Sequence, residues 1–303
     1  MSTTGIRAGE ELYQIPLVPA MKGYEDFINT WLYLGRPRFL VDVGPASTVD
    51  ALFNSLEQLG VEDLDYILLT HIHLDHAGAI GEVAAKFKTA PIVCQAAGIP
   101  HLIDPQRLWE GSQKVLGDIA LGYGPITAVA AERLVDAAEF KDPAIGVIQT
   151  PGHAVHHVSY IKDDYLFAGE TAGVWLDTGP AGEYLRPATP PRFFLDTALS
   201  SLERLIAVAP RWLCYGHYGI GEGARARLKR QLGQMLFWEK AISDVVDQQP
   251  HADDLGEKCR NVLLAKDPLM KNFSAFPPQV RERESYYIGN SIRGFLGWLE
   301  SKA

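Results

Sequence analysis

Short apolar runs alternate with amphipathic stretches along the first 217 residues of the chain. Residues 30–34 and 38–43 indicate two strands, and 65–70 is a continuous apolar run typical of a buried strand. Over 49–59 the apolar residues recur at helical spacing, and Gly60 is placed to end that helix. Strands that alternate with helices in this way predict an α/β layered fold.

The same pattern continues further along the chain and then changes. Residues 97–135 contain scattered Pro and Gly and indicate short helices and loops that cover a site, and the Pro/Gly-rich segment 178–191 indicates a surface loop. Beyond residue 222 the strand signals stop, and helical apolar stripes predict a helical C-terminal part. Further strands are predicted at 91–95, 144–150, 156–161, 165–169 and 212–215, and further helices at 79–87 and 194–206.

Composition narrows the class of protein. With 303 residues, 47% hydrophobic and 21% charged, the chain is an ordinary globular protein and not a disordered one. Its net charge of −9 disfavours binding to nucleic acid or to an anionic membrane surface. We find no apolar run long enough to span a membrane and no secretory leader, so we expect a cytoplasmic protein. The widely spaced Cys94, Cys214 and Cys259 are expected to be buried free thiols.

The stretch HIHLDH directly after the apolar run 65–70 carries the strongest chemical signal. It places His71, His73, Asp75 and His76 in a loop that leaves the carboxyl end of a buried strand, where α/β folds place ligands and catalysis. Imidazole nitrogens together with a carboxylate suit zinc, iron or another divalent first-row ion. His71 and His73 can face one site, while Asp75 and His76 on the following turn face a second.

Three more polar residues follow predicted strands. His153 ends TPGH, Glu170 ends FAGE and His217 ends CYGH. Because parallel and mixed sheets gather such strand ends on one edge, we expect these side chains to join the HIHLDH loop. A carboxylate such as that of Glu170 can bridge two cations. His101 and His251 have no such partners in sequence and are expected at the surface.

Taken in order, HxHxDH, GH, a strand-end acid and a second GH resemble the metallo-β-lactamase superfamily, in the hydrolase branch that contains glyoxalase II and the lactonases. The resemblance implies a four-layered αββα sandwich over residues 1–222, with 223–303 as a helical extension packed on the core. It also implies that Asp42 supports the metal loop from behind. By the same resemblance, the first metal would be held by His71, His73 and His153, the second by Asp75, His76 and His217, and Glu170 would bridge the two.

One position departs from the family pattern. The family usually has an aspartate where this chain has Glu170, so Glu170 bridges two ions, binds one of them, or leaves a mononuclear site. At the place of His157 the family often carries a histidine that lies near the metal site but does not bind the metal. His156 is expected to be an ordinary strand residue.

The resemblance implies a hydrolase. Two divalent cations, with zinc expected first and iron or manganese as alternatives, would lower the pKa of a shared water, and the metal-bound hydroxide would attack an ester, thioester or lactone. Asp75 would also accept a hydrogen bond from that nucleophile.

The residues near the ligand segments suggest how a substrate would be held. We expect nearby aromatic residues to form apolar walls, Tyr215 or Tyr218 to polarise the substrate carbonyl, and Arg192 to pair with a substrate carboxylate. The aromatic residues in question are Trp175, Phe193, Phe194, Tyr215 and Tyr218.

Other functions stay open at this point. A mononuclear-iron oxidoreductase of the persulfide dioxygenase type uses the same scaffold, and so does a non-catalytic metal-containing regulatory protein. A nuclease would need a basic surface, for which the run at 225–230 is the candidate. The expected partner is a small-molecule substrate, without nucleic acid or membrane, and a homodimer is a further expectation. The C-terminal helices could wall the pocket, mediate dimerisation or complete the core.

Overall fold

The structure is a computed structural model that describes residues 5–249 and 252–302. The strands of the described part are β1 (Ile6–Arg7), β2 (Leu12–Leu17), β3 (Ile28–Tyr33), β4 (Phe39–Val41), β5 (Tyr66–Leu68), β6 (Ile92–Cys94), β7 (Leu134–Asp136), β8 (Gly146–Gln149), β9 (Val158–Lys162), β10 (Tyr165–Phe167), β11 (Val174–Asp177), β12 (Glu183–Arg186), β13 (Trp212–Cys214) and β14 (Ile220–Glu222). The helices are α1 (Val49–Gln58), α2 (Leu74–Ala77), α3 (Ile80–Lys86), α4 (Ile99–Ile103), α5 (Gln106–Leu116), α6 (Asp118–Tyr123), α7 (Leu195–Val208), α8 (Ala224–Gln248), α9 (Leu255–Lys266) and α10 (Pro278–Glu300).

Two mixed sheets and a hairpin organise these strands. The first sheet runs in chain order from β1 to β7, with antiparallel pairing up to β4 and parallel pairing from β4 onwards. The second has the order β14-β13-β10-β9-β8, in which β10 and β13 are parallel and the other pairs antiparallel. Strands β11 and β12 pair with each other as an antiparallel hairpin.

Side chains that alternate along the strands build the layers. In β4, Phe39 and Val41 belong to a buried cluster that contains residues of both sheets. Leu40, which points the other way, belongs to the larger cluster that includes residues of helix α1. The rings of Phe39 and Phe167 meet across the sheets with centroids 5.9 Å apart. The hydroxyl of Tyr160 in the second sheet donates to the carbonyl of Leu69 in the first at 2.9 Å. The α/β class and its αββα layering are therefore confirmed.

One segment differs from the sequence-based expectation. Within 178–191, predicted to be a surface loop, residues Glu183–Arg186 form strand β12, and both Tyr184 and Arg186 are buried. The Gln234 side chain of α8 donates to the carbonyl of Leu185 at 2.6 Å, so tertiary packing orders a segment whose composition suggested a loop. The sequence patterns also do not predict strands β1, β2, β7, β11 and β14.

The helices after residue 222 pack on the sheets. Trp238 of α8 and Phe295 of α10 belong to the same buried cluster as the strand residues Ile15 and Leu40. The C-terminal part therefore completes the core, while the domain boundary at 222 stays a prediction. Cys94, Cys214 and Cys259 are free and buried, as expected. None of the helices in the described ranges combines the length and apolarity that a bilayer crossing requires.

A buried ion triad fixes α10 to the core. The Glu284 carboxylate of α10 accepts from Arg186 Nε of β12 at 2.5 Å and from Arg283 Nε at 3.0 Å. All three side chains are buried, and Arg283 also donates to the carbonyl of Gly23. Burial alone would raise the pKa of Glu284, but the two guanidinium groups outweigh it and hold the pKa below its ordinary value.

We expect Glu284→Gln to lower the free energy of unfolding by about 3–5 kcal/mol, because it leaves two buried guanidinium groups without their carboxylate. Denaturant unfolding near pH 7 measures this, with Glu282→Gln at an exposed position of the same helix as the matched control. Since the folded pKa of Glu284 is lowered, its contribution is present above the ordinary pKa of about 4.3 and is lost as pH falls through the folded value. A loss near pH 7 no larger than that of the control would contradict the assigned role.

Candidate metal centre

Four strand ends bring the predicted ligands to one place. The HIHLDH loop follows β5, with His73 just before α2 and Asp75 and His76 inside it. Strand β9 is antiparallel to both β8 and β10, and β13 is parallel to β10, so β8, β10 and β13 all run in one direction. Their carboxyl ends therefore share an edge, and the loops there carry His153, Glu170 and His217. We call this the ligand edge.

The structure brings together all seven of the predicted ligands. They form two groups, and within each group the candidate ligand atoms lie within 4.8 Å of one another. This division matches the one that the family resemblance implies, with Glu170 in the first group. The first group consists of His71, His73, His153 and Glu170, and the second of Asp75, His76 and His217.

The Glu170 carboxylate lies between the two groups. Its Oε2 is 2.8 Å from His153 Nε2 and 3.4 Å from His71 Nε2, while its Oε1 is 3.0 Å from His217 Nε2. Ligands of a tetrahedral ion at about 2.0–2.1 Å are separated by roughly 3.3 Å, so these spacings suit a shared cation. Burial would raise the pKa of Glu170, but His153 and His217 outweigh it and hold that pKa well below its ordinary value.

Protein oxygens orient several of the imidazoles. His76 Nδ1 donates to Asp42 Oδ2 at 2.9 Å, and His153 Nδ1 donates to the carbonyl of Ala188 at 2.8 Å, which leaves each Nε2 facing the cluster. Among the described residues, the buried Nε2 atoms of His71 and His76 have no hydrogen-bond partner. Buried polar atoms are nearly always satisfied, and a divalent cation would satisfy these. The residues therefore fit a bound metal.

Asp42 supports the HIHLDH loop from behind, as the resemblance implies. Besides its bond to His76, it accepts from the Thr70 backbone N–H at 2.7 Å and from the Thr70 hydroxyl. That hydroxyl in turn accepts from His71 Nδ1 at 3.0 Å. Asp42 has φ of 59°, a left-handed conformation that Asp and Asn tolerate better than other non-glycine residues. One carboxylate thus orients a histidine in each group.

The other histidines have different positions. His157 is buried beside the site and outside both groups: its Nε2 accepts from the Glu170 backbone N–H at 3.2 Å, and its Nδ1 donates to the Thr150 hydroxyl at 2.8 Å. His156 lies in the turn before β9 and not in a strand, and it lines the cavity described below. His101 also lines that cavity and is partly buried. His251 lies outside the described residues.

A cavity of about 480 Å³ opens onto the two groups. Its apolar lining includes Leu108 and Val115 of α5, Phe27 before β3, and the ring of Tyr287 of α10. The expectation that segment 97–135 covers a site therefore holds for α5. The C-terminal helix α10 forms a wall of the cavity as well as part of the core.

The aromatic wall predicted from the sequence is wrong. Trp175 stacks on Tyr215 with ring centroids 5.5 Å apart, and Phe193 packs on Phe295 at 5.2 Å. Neither these residues nor Phe194 and Tyr218 line the cavity, although Arg192 does. Tyr215 follows the buried β13 and joins the same buried cluster as Leu213, while Cys214 between them joins the other cluster, because successive side chains alternate in direction. The lining residues Phe27 and Tyr287 carry no local signal in the sequence that could have indicated them.

Tyr287 is the centre of a cluster of hydroxyl groups. Its oxygen lies 3.2 Å from the hydroxyl of Tyr123 and 3.4 Å from that of Tyr24. Burial raises the pKa of Tyr287 well above its ordinary value, so the group stays protonated. When Tyr24 and Tyr123 both donate to its oxygen, the proton of Tyr287 is left free to donate outside this cluster.

The protonation of the histidines makes metal binding dependent on pH. Burial lowers the pKa of His71 and His73, so both are neutral and offer a lone pair. Burial acts in the same direction on His76, but the charges of Asp75 and Asp42 outweigh it and raise the pKa to about 9. Glu170 likewise raises the pKa of His153. In the metal-free protein His76 therefore holds a proton that a metal must displace.

We expect zinc affinity to rise with pH up to about 9, by roughly tenfold per pH unit for each proton displaced. Competition against a chromophoric chelator of known pH dependence measures this between pH 6.5 and 8.5. A flat profile would show that the cluster binds its ion without losing a proton.

We expect Asp42→Asn to weaken metal binding about 10- to 100-fold, since the amide cannot supply the negative charge that orients His76 and Thr70. Asn tolerates the positive φ, so the backbone should persist. The matched control is Asp163→Asn, at a surface turn with φ of 51°. Equal metal affinity in the two variants, measured with the same chelator, would refute the role of Asp42.

Comparisons with known proteins agree with this arrangement. The metallo-beta-lactamase superfamily model matches residues 23–217, more than half of the chain. The metallo-beta-lactamase fold-containing protein ST1585 of Sulfurisphaera tokodaii is 30% identical over 240 residues, covering 76% of this chain and 85% of that protein. A probable metallo-hydrolase of Methanocaldococcus jannaschii, MJ0888, is 26% identical over 62% of this chain and 86% of its own length.

A more distant relative and a solved structure complete the comparison. A hydroxyacylglutathione hydrolase of Shewanella loihica is 31% identical over 138 residues, which cover 44% of this chain and 42% of that protein. The crystal structure of the archaeal protein ST1585 from Sulfolobus tokodaii superposes with a TM-score of 0.72 at 23% identity, covering 95% of this chain and 99% of that one. The chain belongs to the metallo-beta-lactamase superfamily.

Proposed function

We propose that the protein is a hydrolase that uses two divalent metal ions, zinc in the first place, to cleave an ester, thioester or lactone of a small molecule. The observation that carries the proposal is the Glu170 carboxylate, which lines a cavity and faces His153 with one oxygen and His217 with the other. When bound, the two ions would supply an activated water and positive charge for the developing oxyanion.

The side chains of this chain would divide the remaining work. Asp75 Oδ2 lies 3.8 Å from His217 Nε2 and 4.0 Å from His76 Nε2, so its carboxylate can bind metal and also accept a proton at the cavity. Tyr287 can donate a hydrogen bond to the oxygen of the bond that is broken. The apolar lining of the cavity would hold the acyl part of the substrate and limit the access of bulk water.

The named relatives support a hydrolase in general terms. One is named a probable metallo-hydrolase, and another a hydrolase of hydroxyacylglutathione, an acylated thiol. The run at 225–230 gives a nuclease little support, because Arg227 and Arg230 both pair with Glu183, at 3.1 and 2.6 Å. The cytoplasmic location and the homodimer stay predictions.

We expect His153→Ala and His217→Ala each to reduce the bound metal from about two ions to about one per chain, since each removes a ligand from a different group. Glu170→Gln should weaken both sites, whereas Glu170→Asp should retain both ions if the carboxylate bridges them. Each loss of an ion should lower ester hydrolysis by about 100-fold or more. Elemental analysis and a panel of acyl thioesters, lactones and aryl esters measure the two effects.

The control is His101→Ala, which changes a cavity histidine that belongs to neither group. It should leave both the metal content and the turnover close to those of the unaltered protein. If protein purified from cells grown with added metal contains no ion, the proposal is refuted. A single iron without hydrolysis would favour the oxidoreductase alternative instead.

A further inference from the structure

The charge lining the cavity has an unusual sign for this protein. Outside the two metal groups, the ionised side chains that line the cavity within the described residues are those of Arg107, Arg186 and Arg192, without an acid. The whole chain carries a net charge of −9, so chance would favour carboxylates. A cavity with positively charged walls concentrates anions.

Arg186 is the most firmly fixed of the three arginines. Its side chain is 2% exposed, held by Glu284 through Nε at 2.5 Å and by the carbonyl of Pro187 through Nη1 at 3.3 Å, with the guanidinium 5.1 Å from the centre of the Tyr287 ring. Its remaining N–H groups, including both on Nη2, have no acceptor among the described residues. A guanidinium with free donors in a fixed fork suits a carboxylate.

The neighbouring charges leave Arg186 unneutralised. Arg186 and Arg283 share the single carboxylate of Glu284, so the buried triad has a surplus of one positive charge. Of the two arginines, Arg186 lines the cavity and Arg283 does not. A buried surplus charge is costly, and an anion bound in the cavity would offset it.

Arg186 is also placed close to the metal centre. Two residues after it, the carbonyl of Ala188 orients His153 of the first group. The lining of the cavity also has an apolar part, which includes Leu108 and Leu116 of α5 and Pro190 and Pro191. A ligand that fills the cavity can therefore contact the metal groups, this apolar lining and Arg186 at the same time.

We propose that Arg186 forms a carboxylate-binding subsite, and that the substrate is an acyl compound with a free carboxylate besides the bond that is hydrolysed. This inference rests on the proposed hydrolase function and specifies its substrate class. Arg107 and Arg192 contribute to the attraction of the anion and do not determine its position.

The test compares two matched series of esters. One contains the 4-nitrophenyl monoesters of dicarboxylic acids from succinic to suberic acid, and the other contains 4-nitrophenyl esters of equal length that end in a methyl group. At the best chain length the unaltered protein should favour the carboxylate by about 10- to 100-fold in kcat/KM, the range expected for hydrogen bonds to a charged group. Arg186→Met should abolish this preference, which is measured as the ratio of kcat/KM between the two series within the same variant. Arg211→Gln, at an exposed position away from the cavity, removes the same charge and should keep the preference.

Binding supplies a second measurement that does not depend on turnover. In calorimetry with pentanoate on the metal-loaded full chain, Arg186→Met should lower the affinity by about 10-fold or more relative to the unaltered protein. Unchanged affinity would show that the metals or another group bind the carboxylate, and would overturn the subsite. Arg186→Met leaves Glu284 paired with Arg283. If that variant does not fold, Arg186→Lys is the second variant, because lysine keeps the ion pair with Glu284 but lacks the forked donors of a guanidinium group. It should lower the preference for the carboxylate series without unfolding the protein.

The two proposals fail in different ways. If the esters are hydrolysed without any preference for the carboxylate, the subsite is refuted and the hydrolase stands. If no ester, thioester or lactone of the panel is hydrolysed but pentanoate binding still depends on Arg186, the hydrolase function is refuted and the anion subsite stands.

Discussion

The position of the Glu170 carboxylate between two groups of imidazoles constrains the rest of the molecule. A buried charge of this kind is tolerated only beside opposite charge or hydrogen-bond donors, which here come from His153, His217 and the HIHLDH loop. These partners lie far apart in the chain. The strands β8, β10 and β13 run in one direction and end at one edge, so the sandwich supplies the frame that brings these partners together.

Much of the fold and most of the candidate site could be predicted because their signals are local. A continuous apolar run followed by HIHLDH indicates both a buried strand and its ligands, and strand ends at His153, Glu170 and His217 follow the same logic. Strand β12 could not be predicted in this way. Its order depends on Gln234 and Glu284, which lie far along the chain, and no local pattern in 178–191 reports such partners.

The walls of the cavity also show the limit of what local sequence can predict. Tyr215 lies next to a ligand segment in sequence, yet its ring stacks on Trp175 away from the cavity. Closeness in sequence to a ligand segment indicates the path of the main chain. The alternation of side chains along a strand determines on which face of the sheet each side chain lies. The residues that do line the cavity, such as Phe27 and Tyr287, reach it through tertiary packing alone.

Helix α10 links the stability of the fold to the shape of the cavity. Glu284, Tyr287 and Ser291 are spaced by three and four residues and so share one face of the helix. Glu284 is anchored to Arg186, the Ser291 hydroxyl donates to the carbonyl of Pro187 at 3.1 Å, and Tyr287 lies between these anchors in the cavity wall. The contacts that hold the helix are thus made with Arg186 at the end of β12, which also lines the cavity, and with Pro187 directly after it. A change that loosens this helix would therefore alter the cavity before it unfolded the sheets, because the wall residues and the anchors are one surface.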